Sequence, residues 1–123
     1  MNQPAYFEIQ ATDPKVLVEF YKKIFDWKFE LQEGLPIEYY QIETYGIRGG
    51  LLARPVETHQ GGTNAFTVSM EVEDFDKTAQ IILDSGGIVA MEKFAIPGKC
   101  WQGYFQDPDQ NTFGIFQVDE NAK

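Results

Sequence analysis

Two carboxylates, Glu8 and Glu71, are the residues best suited to acid–base work or to holding a hard cation. Each lies in an alternating run. Phe7, Ile9 and Ala11 bracket Glu8 and Gln10, and Phe66, Val68, Met70 and Val72 bracket Thr67, Ser69 and Glu71. Period two is the signature of a half-buried strand, so the polar members of each run share a face. Glu8 and Glu71 are expected at matching places on that face. Two carboxylates without a third ligand make a thin metal site. Solvation, or pairing with Arg48, Lys28 or Lys99, accounts for them more simply.

Other reactive side chains are few. Arg48 shares the parity of Gly50 and can meet an anionic group or pair with an acid. Cys100 is the only cysteine, and no histidine is placed to activate it, so a thiol in apolar surroundings is the simpler reading. His59, the only histidine, lies in the polar stretch PVETHQGGTN and is expected to be solvated. Trp101 follows the Pro97-Gly98 loop, where its ring can close over a ligand or pack on the sheet as a rim residue. Tyr6 and Phe116 are expected to line an aromatic pocket suited to small, flat or apolar molecules. Gly49-Gly50 and Gly61-Gly62 lack the Lys-Ser/Thr pair of a phosphate loop.

The elements that carry these residues occur twice. After the first alternating run, Thr12-Asp13-Pro14 supplies an N-cap and a proline at the first helical position. Val16, Leu17, Phe20, Tyr21 and Ile24 follow at helical spacing. Strands are expected at 27–32, 38–45 and 49–54. The second run is followed by Glu73-Asp74, an apolar helical face of Phe75, Ala79, Ile82 and Leu83, and a stop at Ser85-Gly86-Gly87. Strands are expected again at 88–93, 100–106 and 112–118. The chain thus predicts two strand–helix–three-strand repeats, about 4–55 and 65–118, joined by a linker at 56–64. That is an α+β fold within a single domain. Two such repeats side by side can form a cupped, partly open eight-stranded sheet with the helices outside and a ligand cleft on the concave side.

Composition sets outer limits. The 123 residues are 43% apolar and 24% charged, ordinary for a globular domain. The formal net charge of −9 argues against nucleic acid and anionic membrane as partners. It favours solubility and is compatible with a cationic ligand. No apolar run approaches the roughly 18 residues of a membrane span. The N-terminal MNQPAYFEIQ does not read as a secretory signal. A lone cysteine fits a reducing cytoplasm.

Three stretches carry a resemblance: FEIQATDPKVLVEFYKKIFDWKFE, GGLLARP and IPGKCWQGYFQDPDQNTFGIFQ. In this order, on a repeated unit, the chain resembles the glyoxalase / bleomycin-resistance / dioxygenase family, the vicinal oxygen chelate superfamily. The resemblance implies a cupped barrel, frequent homodimers, and a divalent metal held by His or Glu on the first and last strands of each unit. Carried over residue by residue, the ligand positions are Tyr6, Gly50, Thr67 and Gly114. Glycine has no ligand to offer, and neutral tyrosine and threonine replace imidazole and carboxylate poorly. The expectation is a small-molecule binder that uses Tyr6, Glu8, Arg48, Thr67, Trp101 and Phe116, with no metal and no cofactor. The alternative is a lyase, isomerase or dioxygenase-type enzyme that uses Glu8 and Glu71 or an atypical metal site. A structural or partner-binding dimer is a third reading.

Overall fold

The computed structural model describes residues 6–54 and 67–123. His59, the linker and Gly61-Gly62 lie outside the described residues. The chain divides into two compact units, Met1–Thr58 and His59–Lys123. Each contains one helix and a four-stranded mixed sheet, so the α+β class and the duplicated strand–helix–three-strand order are both present.

In the first unit the elements are β1 (Tyr6–Ala11), α1 (Pro14–Ile24), β2 (Lys28–Leu31), β3 (Tyr39–Glu43) and β4 (Arg48–Ala53). The sheet order is β1-β4-β3-β2, with β1 and β4 parallel. The Asp13 carboxylate caps α1 by accepting from the Lys15 amide, and Pro14 opens the helix at no hydrogen-bonding cost. The buried stripe of α1 is Pro14, Leu17, Val18, Phe20 and Tyr21. Val16, expected on that stripe, is exposed, because the 14-17-18-21 spacing turns it away from the sheet.

Under α1 the core is aromatic. Trp27 stacks on Phe25 at 4.9 Å and on Tyr21 at 5.6 Å, and Phe7 from β1 tilts against it at 5.7 Å. Phe7, Ile9 and Ala11 therefore face the helix, as the alternation predicts. Tyr6, Glu8 and Gln10 project from the opposite face of the sheet.

In the second unit the elements are β5 (Ser69–Glu71), α2 (Phe75–Asp84), β6 (Ile88–Ile96), β7 (Cys100–Gln106) and β8 (Thr112–Val118). The sheet order is β5-β8-β7-β6, with β5 and β8 parallel. Asp74 caps α2 through the Lys77 amide, and the Gln117 side chain accepts from the Phe75 amide at 2.7 Å. Phe75, Ile82, Phe105, Phe113 and Ile115 form the core. Beyond α2 the chain turns at Gly86, whose φ of +103° suits glycine and few other residues. β6 runs three residues further than the hydrophobic pattern suggests. It is irregular, with register shifts between Val89 and Met91 and between Met91 and Phe94.

Candidate functional site

The strand register shows which residues of the two repeats correspond. In the first unit Glu8 lies opposite Gly50. In the second, Ser69 lies opposite Gly114. Ser69, not Glu71, is therefore the counterpart of Glu8, and Glu71 corresponds to Gln10. The expected match of the two carboxylates fails by two residues along the strand. Alternation fixes the face of a side chain and leaves its position along the strand open, which is how that slip arises. The next strand carries the correspondence on. Tyr39 and Gln41 pair with Leu52 and Gly50, as Gln102 and Tyr104 pair with Phe116 and Gly114.

Around Gly50 the helix-free face carries a hydrogen-bonded set. The Tyr39 hydroxyl donates to Glu8 Oε2 at 3.1 Å and lies 2.5 Å from the Tyr6 hydroxyl. Gln41 Nε2 donates to the Tyr6 hydroxyl and to the Gly49 carbonyl, each at 3.4 Å. Tyr6 is 45% exposed, so the set is open to solvent. Burial, followed by the bonds to Tyr6 and Glu8, pushes the Tyr39 phenol above the ordinary tyrosine value, so it remains a donor. Arg48 lies opposite Tyr6 in the register and is exposed, with no acid paired to it among the described residues.

The glycine explains the arrangement. A Cβ on residue 50 would lie 2.1 Å from the Tyr39 hydroxyl and 2.4 Å from its ring carbon Cζ. The Tyr39 phenol therefore fills the volume into which any side chain at position 50 would project. The second unit repeats this with other groups. A Cβ on Gly114 would lie 2.3 Å from Ser69 Oγ and 2.8 Å from Gln102 Nε2. Gln102 donates to Ser69 Oγ at 3.2 Å and is only 6% exposed.

The remaining predicted residues lie in the second unit, where Glu71 and Phe116 are register partners on β5 and β8. Thr67 precedes β5 and is exposed. Glu71 borders an open depression of about 410 Å³ lined also by Val72, Glu73, Gln117 and Val118. Phe116 shares the face of Gln102 and Gly114. Trp101 does not. It has the parity of Gly103 and Phe105, and Gly103 packs against the Phe75 ring of α2. Trp101 Nε1 donates to Asp119 Oδ2 at 3.0 Å, and Lys93 Nζ sits 4.8 Å above its ring. The same ammonium lies 5.3 Å from the Phe75 ring and 3.0 Å from Asp76. Bonds from the Asn121 amide and from Trp101, with the charge of Lys93, hold Asp119 below its ordinary value. Trp101 is thus a packing residue on the helix side. Cys100 is buried, as the sequence suggests.

Sequence reasoning missed Tyr39 and Gln41 as site residues. Their signal is the parity they share with Glu43, on the face opposite Tyr40 and the fully buried Ile42. The sequence motif DPDQN is a scaffold. Asp107, 3% exposed, accepts from the amides of Asp109 and Asn111 and from Asn111 Nδ2, and Gln110 turns the chain at φ +65°.

The donor set does not fit a divalent metal. Of the expected ligand positions, Gly50 and Gly114 have no side chain, and Tyr6 is engaged with Tyr39 and Gln41. Among the described residues no group of three or more His, Cys, Asp or Glu is arranged to hold a metal ion.

Comparison with solved structures identifies the fold. A glyoxalase/bleomycin resistance protein/dioxygenase family enzyme from Burkholderia phytofirmans is 18% identical, with a TM-score of 0.73 over 94% of this chain and 98% of that one. The fosfomycin resistance protein FosX from Listeria monocytogenes is 12% identical, with a TM-score of 0.78 over 97% and 93%. TioX from Micromonospora is 16% identical, with a TM-score of 0.70 over 96% and 100%. A search of curated proteins finds no match. The family profile, however, matches residues 3–115, nearly the whole duplicated unit. The chain belongs to the Glyoxalase/Bleomycin resistance protein/Dioxygenase superfamily.

Proposed function

We propose that this protein binds a small molecule on the helix-free face of its first sheet, without the divalent metal usual in its family. One observation carries the proposal: the Tyr39 phenol occupies the volume above Gly50 and engages Glu8 directly. A hydrogen-bonded phenol pair beside a carboxylate is a polar, aromatic surface of the kind that orients small ligands. FosX, a relative in fold, is a fosfomycin resistance protein, which agrees with small-molecule recognition on this scaffold. Fold likeness does not carry the ligand across.

A thermal-shift screen with divalent metals, a chelator, and small aromatic and charged compounds tests this. The expected result is stabilisation by an organic compound and none by metal. Stabilisation by Ni²⁺, Zn²⁺ or Mn²⁺ that the chelator reverses would overturn it.

We also propose a cytoplasmic homodimer. Ile88, Met91 and Ile96 are exposed on the edge strand β6, an apolar surface that a second copy would cover. Light scattering on the purified chain gives the oligomeric state, and a monomer at all concentrations would reject this. No described helix is long and apolar enough to cross a membrane.

A further inference from the structure

The hydrogen bonds around Gly50 have a direction, and that direction selects the chemistry of a ligand. The Gly49 carbonyl can only accept, so the Gln41 atom facing it is the amide nitrogen. The same nitrogen faces the Tyr6 hydroxyl, which must accept from it. At the other end, an ionised Glu8 can only accept, so the Tyr39 proton points at Glu8 Oε2. Tyr39 has one proton. The bond between the two phenols therefore runs from Tyr6 to Tyr39. The chain reads Gln41 to Tyr6 to Tyr39 to Glu8.

Every donor in this chain is used. Both amide protons of Gln41 are engaged, as are both phenolic protons. The acceptor capacity left over is concentrated on Glu8, whose second oxygen has no partner among the described residues. A carboxylate that receives a phenol backed by a second phenol is held in place for a further partner. A ligand that docks here has to bring its own donors, and the charge of Glu8 favours a positive one.

We propose that the Glu8 end of this chain is the anchor for a cationic nitrogen, an ammonium or amidinium, carried by a ligand whose body lies along the Tyr6 and Tyr39 rings. This rests on the small-molecule reading above and narrows it. The exposed Tyr6 ring and the half-buried Tyr39 ring add attraction for the same charge. Arg48 is the competing feature on this face, since it would select an anion instead.

The test is an amide-resolved NMR titration of the full chain with three probes that share one phenyl body. These are 2-phenylethylamine, an ammonium at neutral pH, neutral 2-phenylethanol, and anionic 3-phenylpropanoate. The expected result is a saturable shift of β1, β3 and β4 amides with the ammonium, at a dissociation constant on the order of 1 mM, as befits a fragment. Glu8→Gln should weaken it about tenfold or more, Tyr39→Phe by a smaller factor, and Arg48→Gln should not weaken it.

Ammonium binding that Glu8→Gln leaves unchanged would overturn the proposal. So would preferential binding of 3-phenylpropanoate that is lost in Arg48→Gln. In either case saturable binding on these strands would leave the small-molecule site standing. Absence of any shift on these strands with all three probes overturns the proposal as well. If the wider thermal-shift panel is also silent, the small-molecule reading falls with it.

Discussion

The hydroxyl of Tyr39 sits 2.1 Å from the point where a Cβ on Gly50 would be. The absence of a side chain at position 50 and the presence of a tyrosine at 39 are one structural fact. Gly50→Ala should displace Tyr39 and break its bond to Glu8. Overpacking of this kind costs about 1–3 kcal/mol, toward the lower end here because the phenol is the far end of a movable side chain. Urea denaturation of Gly50→Ala, Tyr39→Ala and the double variant measures the coupling. The double variant should be more stable than the sum of the single effects predicts, and strict additivity would contradict the geometry.

Gly114 is less forgiving. The groups above it are Ser69 and the buried Gln102, with the Tyr104 ring at 3.1 Å. Gln102 cannot retreat into solvent as Tyr39 can. Gly114→Ala should lower stability by about 2–3 kcal/mol, more than Gly50→Ala. Chemical denaturation of the two variants under the same conditions makes the comparison. The reverse order would mean that the second site yields more readily than its burial implies.

Tyr39 gives a pH signature. Its phenol is raised in the folded protein above the unfolded value of about 10, so its contribution to stability is fully present below that pH. The contribution is lost as pH rises toward the raised folded value, because the unfolded chain ionises first. The stability difference between the native chain and Tyr39→Phe should be flat through neutral pH and shift against the native chain above about pH 10. Denaturation midpoints collected through the alkaline range read it directly. A difference that stays constant there would mean the phenol is not held as described.

Asp107 separates scaffold from site. Its carboxylate binds two amides and the Asn111 side chain in the turn between β7 and β8. Asp107→Ala leaves those half-buried donors without this acceptor and should cost on the order of 1–2 kcal/mol. Binding of 2-phenylethylamine by the folded fraction should stay the same. Loss of binding without loss of stability would make the turn part of the site.

By itself the sequence determined the architecture. Period-two runs, capped helices at Asp13 and Asp74 and glycine stops are local signals, and local signals repeated in order define two equivalent units. It also showed that positions 50 and 114 carry no ligand, because residue identity alone excludes coordination. Only the tertiary structure decided what stands there instead. Tyr39 reaches Gly50 from a neighbouring strand, and Gln102 reaches Gly114 in the same way. Such contacts depend on cross-strand register, which alternation leaves open. The same limit explains the false match of Glu8 with Glu71, whereas Trp101 lies on the helix side by the parity it shares with Gly103 and Phe105. The direction of the Gln41–Tyr6–Tyr39–Glu8 chain lay further still from the sequence, since it follows from which atoms face each other across three strands.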